Sequence, residues 1–187
     1  MPDIVIVSSS IRTARESHYV ALYLKNFIDK SHAASTTLCD LQAYDFPLFT
    51  ESFKDMHNPA PGVVDFANKI EKADGVIMVT PEYNGSYPAS LKNVIDLLYA
   101  AWYKKPVALA TVSDGAFGGT QVMMALQQVL WKIKATVVPH PLPVPHVSKS
   151  FNVEGASHPD IERRADLFIK ELLWHIEARK RMHDYVL

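Results

Sequence analysis

The chain has one cysteine, seven glycines among 187 residues and almost no net charge, and each shortage excludes something. A lone thiol, Cys39, can form neither an internal disulfide framework nor a multi-cysteine metal site, and it reads as a small apolar side chain at a strand end. With 19 Lys and Arg against 20 Asp and Glu the formal charge is −1, too weak a field for a general nucleic-acid binder. No stretch approaches the roughly 18 consecutive apolar residues of a membrane span. The opening MPDIVIVSSS has no basic leader and too short an apolar run for a signal peptide, so a cytoplasmic protein is expected. What remains is ordinary globular composition: 48% hydrophobic, 10% aromatic and 21% charged. The length predicts a single domain over residues 1–187, large enough to bury roughly 70% of its unfolded surface.

Hydrophobic periodicity alternates along the chain. Ile4-Val5-Ile6-Val7 is a continuous β-branched run, as in a strand buried on both faces. Val20, Leu24, Phe27 and Ile28 then repeat at helical spacing. A weaker strand is predicted over Thr36–Leu41, followed by a long loop over 42–61 that holds three prolines. A helix marked by Val63, Phe66, Ala67 and Ile70 precedes the strand Gly75–Val79, and Leu91, Val94, Ile95 and Leu98 mark the next helix. Val107–Val112, a helix from Val122 to Ile133, and the strand Thr136–Val138 follow. Prolines at 139, 141, 143 and 145 argue against a central strand beyond that point. A last helix spans 160–182, with Phe168, Leu172 and Ile176 inward and Arg179–Arg181 as a solvated basic end. Strands that alternate with helices mean βαβ units, hence an α/β doubly wound fold with five parallel strands in the order 2-1-3-4-5.

In such sheets ligands bind outside the carboxyl ends of the strands, which selects three loops. The first, Ser8 to His18, joins a buried strand to a helix N-terminus, where unpaired N–H groups favour anions. Ser10, Ser17, Arg12 and Arg15 add donors suited to a phosphate, and His18 is either a cap or an anion contact. The loop matches neither the Walker pattern nor the glycine-rich dinucleotide turn. The second, Thr80 to Pro88, is stiffened by two prolines, and Gly85 permits a positive φ. Its amides, Asn84 and two tyrosines suit a flat heteroaromatic ring. The third, Ser113 to Gly119, holds three of the seven glycines, which let backbone approach a ligand closely. Taken singly, the loops are equally a serine-rich cap, a rigid turn with packed tyrosines and a flexible helix start. His140 and His146 read as a surface pair, and Trp102-Tyr103 as packing or a subunit contact.

The combination Pro81-Glu82-Tyr83-Asn84-Gly85-Ser86, then Pro88-Ala89-Ser90-Leu91-Lys92-Asn93 and Asp96, closely resembles the signature of the NADPH-dependent FMN reductase family, which includes flavodoxin-like quinone, azo and chromate reductases. The glycine loop and the segment Val144–Val147 through Phe151-Asn152, Glu154 and Gly155 resemble further parts of it, so the likeness covers residues 3 to 178. The first loop departs from the pattern: Ser9 and Ala14 stand where the family usually has glycine, and serine there requires a negative φ. The resemblance implies a flavodoxin-like three-layer sandwich that binds FMN. It implies that Ser10, Arg12, Ser17 and His18 hold the phosphate, and that Pro81, Glu82, Tyr83, Asn84 and Gly85 line the isoalloxazine ring. Ser113, Gly115, Ala116, Phe117 and Gly118 then close its other edge. The implied activity is ping-pong transfer from NADPH or NADH through FMN to a quinone-like, azo, flavin or metal-oxyanion acceptor, with no catalytic side chain singled out. A homodimer or homotetramer is also implied, with Leu97, Tyr99 and Trp102 at the contact. A flavin-binding electron carrier or sensor, or a non-flavin enzyme on the same scaffold, remains the alternative.

Overall fold

The computed structural model describes residues 1–152, 155–156 and 159–182. The elements, in order, are β1 (Asp3–Ser8), α1 (Ser17–Ser31), β2 (Ser35–Asp40), α2 (Leu41–Tyr44), α3 (Pro61–Lys72), β3 (Gly75–Pro81) and α4 (Ala89–Leu98). They continue as β4 (Pro106–Val112), α5 (Thr120–Lys132), β5 (Thr136–Val137), β6 (Leu142–Val144), α6 (Val147–Ser150), the small pair β7 (Phe151–Asn152) and β8 (Gly155–Ala156), and α7 (Pro159–Arg181). The main sheet is parallel in the order β2-β1-β3-β4-β5, as the alternating periodicity predicts.

Strand alternation explains the three layers. Ile4, Ile6, Ile77, Val79, Ala108 and Ala110 face one side of the sheet, where the stripes of α1 (Val20, Leu24, Ile28) and α7 (Phe168, Leu172, Ile176) cover them. Val5, Val7, Val76, Met78, Val107 and Leu109 face the other, against α3 (Phe66, Ile70), α4 (Leu91, Ile95) and α5 (Leu126, Leu130). Each fully buried aliphatic side chain of this kind contributes about 1.5–3 kcal/mol of transfer free energy. Cys39 is part of the second core and fully buried, and that burial pushes its thiol pKa up.

The structure corrects two expectations and adds to a third. The proline run holds no central strand, as its prolines predict, but it does carry a short edge strand: Leu142–Val144 pairs with Ala110–Val112, on the same edge of β4 that β5 occupies lower down. A proline fits because this is an edge. Val144 turns its carbonyl to the Ser113 N–H (3.1 Å), so the preceding Pro143 presents its missing donor outward. The 42–61 loop holds α2 and a short 3-10 turn at Phe53–Asp55, and Asn93 of α4 ties it down by bonds to the Phe49 N–H (2.6 Å) and the Pro47 carbonyl (2.8 Å). Finally, Leu97 and Trp102 are core residues rather than a contact surface. A 3-10 turn at Tyr99–Trp102 folds the indole back beneath α4, where its Nε1 donates to the Ile95 carbonyl, and of the three only Tyr99 stays outside, 55% exposed. Glu154, part of the family-like C-terminal stretch, lies outside the described residues. Among those residues no helix is long and apolar enough to cross a membrane.

Candidate functional site

The first loop leaves β1 through three fully buried serines, Ser8, Ser9 and Ser10. Neither Ser9 nor Ala14 adopts a positive φ, so the backbone accepts both residues without strain. The Ser9 hydroxyl is buried with no hydrogen-bond partner among the described residues, while its carbonyl accepts from Ser90. Ser10 Oγ lies 2.7 Å from the Tyr83 hydroxyl, and the Arg12 guanidinium sits 5.6 Å from the centre of the Tyr83 ring. Helix α1 then begins at Ser17 after Glu16 at the N-cap, with no side-chain cap bond and no acidic residue in its first turn; the His18 and Tyr19 N–H groups turn back to the Arg15 and Glu16 carbonyls (3.3 and 3.0 Å), and the positive end of the helix dipole faces this loop. Two residues of this loop are engaged by partners of their own. Arg15 lines the cavity described below, but it holds Asp40 at the end of β2 and donates to the Ser10 carbonyl (2.9 Å), so it braces the loop and its charge is paired. His18 Nδ1 is 3.0 Å from Ser8 Oγ; burial, aided by the Arg15 charge, lowers its pKa against the opposing pull of Asp40. The imidazole is therefore neutral at neutral pH and an uncharged hydrogen-bonding group.

The second loop is a tight hairpin. Asn84 and Gly85 both have positive φ (51° and 75°), and Tyr83 and Ser86 exchange backbone bonds of 2.8 and 3.0 Å around them. Asn-Gly is the residue pair that this turn favours. The carboxylate of Glu82 turns away from the hairpin and accepts the N–H groups of Gln121 and Val122 at the start of α5. The third loop is braced by the chain after the proline run. Val147 N–H donates to Ser113 O (3.2 Å), His146 N–H to Gly115 O (3.3 Å), and Ser148 Oγ to the Asp114 carboxylate. Thr111 Oγ1 donates to Gly118 O (2.7 Å), and Gly118 packs so closely that a Cβ there would stand 2.9 Å from Val144 N.

These loops enclose a cavity of about 350 Å³ at the carboxyl end of the sheet, within the usual size of a small-molecule site. Of the residues expected from sequence, Arg12, Ser17, Pro81, Glu82, Tyr83, Ser113 and Gly115 line it. Ser10, His18, Asn84, Gly85, Ala116, Phe117 and Gly118 do not: Ser10 and Gly118 are buried behind the wall, and Phe117 projects outward, 79% exposed. Arg15, which the sequence offers as a phosphate donor, lines it too, as do Ala14, Glu16, Val112, Asp114 and Val147. Val112 adjoins the expected third loop and Asp114 lies within it, but Val147 follows the proline run, and no local pattern signals its arrival at the cavity. The first-loop wall offers the Arg12 guanidinium, the Ser17 hydroxyl and a helix N-terminus, with Glu16 beside them, while the other walls offer Pro81, Tyr83, Val112 and Val147 together with Ser113, and with Glu82 and Asp114, whose carboxylates are taken up by α5 and Ser148. That division suits a molecule with an anionic end and a flat, largely apolar body. Among the described residues no cluster of His, Cys, Asp or Glu could hold a metal ion. Lys92 of the Leu91-Lys92-Asn93 segment pairs with Asp96 at 2.6 Å along α4.

The sequence matches the family model for NADPH-dependent FMN reductase over residues 2–149. The NAD(P)H-dependent FMN reductase LOT6 of Saccharomyces cerevisiae is 32% identical over 146 residues, 71% of this chain and 75% of its own length. A quinone reductase of Pseudomonas putida is 33% identical over 133 residues, 68% of this chain and 69% of its own. Among solved structures, the flavoenzyme NAD(P)H:(acceptor) oxidoreductase FerB of Paracoccus denitrificans superposes with a TM-score of 0.78 at 20% identity, covering 95% of this chain and 98% of that one, a likeness of fold.

Proposed function

Since the chain belongs to the NADPH-dependent FMN reductase family, we propose that it is an FMN-dependent oxidoreductase that draws on NADPH or NADH and serves a quinone-like, azo, flavin or metal-oxyanion acceptor. The observation that carries this reading is the cavity, where Arg12, Ser17 and a helix N-terminus stand on one wall and Pro81, Tyr83, Val112 and Val147 on the others, a division that suits the phosphate and the ring of FMN. Arg12, Ser17 and the uncapped end of α1 would hold the phosphate. Ser10 fixes the Tyr83 hydroxyl, and His18 fixes Ser8 at the end of β1, so both support the loop from behind. Pro81, Tyr83 and the Asn84-Gly85 turn would back the ring, and Ser113 and Gly115 would bound its far edge, with Ala116 and Phe117 on the exposed rim and Gly118 setting how closely the loop approaches β6.

When bound, FMN supplies the two-electron chemistry, so the chain itself needs to orient the ring and leave one face open. An open face used in turn by nicotinamide and acceptor gives ping-pong kinetics. A single-domain cytoplasmic homodimer or homotetramer completes the reading. The test is a visible absorption spectrum of the protein after FMN reconstitution and desalting, repeated after anaerobic NADPH and NADH. A retained flavin band that bleaches is the expected result. Retention without bleaching by either nucleotide would make the protein a carrier or sensor, and no FMN binding in a titration would remove the flavin reading.

A further inference from the structure

Glu82 holds the glycine loop at both of its ends. Its backbone N–H donates to the Val112 carbonyl at 3.0 Å, immediately before the loop. Immediately after it, one oxygen of the Glu82 carboxylate accepts from the N–H groups of Gln121 (3.0 Å) and Val122 (3.1 Å). These are donors that a helix leaves unsatisfied at its N-terminus, and a side chain at the N-cap usually takes them. Here the N-cap is Gly119, in the left-handed region at φ 81°, which has no side chain to offer, and the first turn of α5 has no acidic residue. The cap therefore comes from another loop, 39 and 40 residues earlier in the chain. A carboxylate in this position also meets the positive end of the helix dipole. A second contact closes the same seam: a Cβ on Gly85 would stand 2.6 Å from Gln121 Oε1, so the hairpin and the start of α5 are packed together.

The seam separates two walls of the cavity. Pro81, Glu82 and Tyr83 form one, and Val112, Ser113 and Gly115 the other. We propose that Glu82 is a positioning residue: by capping α5 from the opposite loop, its carboxylate sets the gap between these walls, and so the seat of the isoalloxazine ring, without touching the phosphate or the reacting atoms. This inference rests on the FMN reading above and deepens it.

The test combines amide hydrogen exchange on the FMN-free protein with an FMN titration and the visible circular dichroism of the bound flavin, for wild type, Glu82→Ala and Glu82→Gln. In Glu82→Ala the amides of Gln121 and Val122 and of residues 115–119 should exchange about five- to tenfold faster, the usual consequence of a lost cap, while those of α1 stay unchanged. The FMN dissociation constant should rise about tenfold, an energy of the size a cap supplies, and the dichroism of the remaining bound flavin should change. Glu82→Gln keeps an acceptor oxygen and should recover most of the protection and most of the affinity. If the alanine variant does not fold, Glu82→Asp, which keeps the charge but shortens the reach, should show the same loop-specific loss.

Unchanged exchange at 115–122 in the FMN-free Glu82→Ala protein would overturn the proposal. So would fast exchange with unaltered FMN affinity and dichroism, which would make the cap purely structural. A glutamine variant with a protected loop but alanine-like affinity would also overturn it, because that pattern belongs to a charged group in direct contact with the ring. Failure of the wild type to bind FMN would sink the underlying flavin reading and the ring-seating claim with it, and is told apart because the exchange experiment contains no FMN.

Discussion

Arg15 grips Asp40 with both terminal nitrogens of its guanidinium, across the gap between the first loop and the end of β2, with side chains only 11% and 19% exposed. The same guanidinium donates to the Ser10 carbonyl, and Asp40 also accepts the Gln42 N–H that opens α2. One ion pair thus ties the proposed phosphate loop to the neighbouring strand. Breaking such a pair from one side leaves the other charge stranded, so Asp40→Ala should cost about 2–3 kcal/mol, somewhat below the fully buried case because both groups retain some solvent. A urea unfolding midpoint checks this. Burial alone would raise the Asp40 pKa, but the bonds from Arg15 and Gln42 outweigh it and hold the carboxyl below its ordinary value. The unfolded state then binds the proton first as pH falls, so this stabilisation is present above about pH 4 and is lost on acidification. Asp40→Asn should flatten that part of the acid limb.

Two glycines of the third loop should answer differently to alanine. Gly118 has φ +62°, and a Cβ there would meet Val144 N at 2.9 Å and Pro143 C at 3.0 Å, both of them backbone atoms. Gly118→Ala should therefore destabilise the fold by about 1–3 kcal/mol. Gly115 has no such conflict, the nearest atom to a Cβ being Ser113 Oγ at 3.8 Å, and Gly115→Ala should leave thermal unfolding within the range of a surface change, about 0.5 kcal/mol. If Gly115 bounds the flavin edge, its alanine variant should weaken FMN binding at unchanged stability. Equal melting shifts for the two variants would contradict this.

Lys105 lies at the other end of the sheet, 2% exposed, and donates from Nζ to the carbonyls of Glu71 (3.0 Å) and Ala73 (2.6 Å) where α3 ends. Burial first, and the Arg179 charge second, push its pKa down to about 8 from an ordinary 10.5, against the pull of Asp74 and Glu71. Between those values the unfolded chain holds a proton that the folded chain has released, so stability should rise with pH across that window. The rise should be absent in Lys105→Met. Parallel stability profiles for the two proteins between pH 8 and pH 10.5 would show that the ammonium stays charged.

Trp102 and Tyr99 separate core from surface within one short turn. Trp102 is fully buried and its indole N–H is bonded, so Trp102→Ala should cost about 3–5 kcal/mol. Tyr99 is 55% exposed, and Tyr99→Ser should change stability by less than about 0.5 kcal/mol. If Tyr99 lies at a subunit contact, its effect should appear instead as a change of mass in sedimentation.

Most of the frame was legible in the chain because it depends on near neighbours. Ile4 to Val7 is apolar at every position, and the structure buries alternate residues on opposite faces of the sheet. Val63, Phe66, Ala67 and Ile70 repeat at helical spacing, and α3 buries those four. The Asn84-Gly85 turn was equally local, since the positive φ of both residues follows from which side chains tolerate it. Among the site residues, Arg12, Ser17, Pro81, Tyr83 and Ser113 could be chosen because strand ends in this topology converge, and they meet around one cavity.

The remainder depended on partners far away in the chain. Nothing near Arg15 announces Asp40, and nothing near Glu82 announces Gln121 and Val122; each pair meets only because the strand order brings separate loops side by side. The fate of Trp102 turned on a change from α to 3-10 winding that alters which face a residue occupies, and Leu142–Val144 became a strand only because β4 had a free edge beyond β5. Sequence alone determined the alternation, the helical stripes and the turns, because side-chain period and backbone sterics act over a few residues. Tertiary structure decided which charged groups face the cavity and which brace its walls, because a hydrogen bond or ion pair forms wherever folding places its two ends, however many residues lie between them.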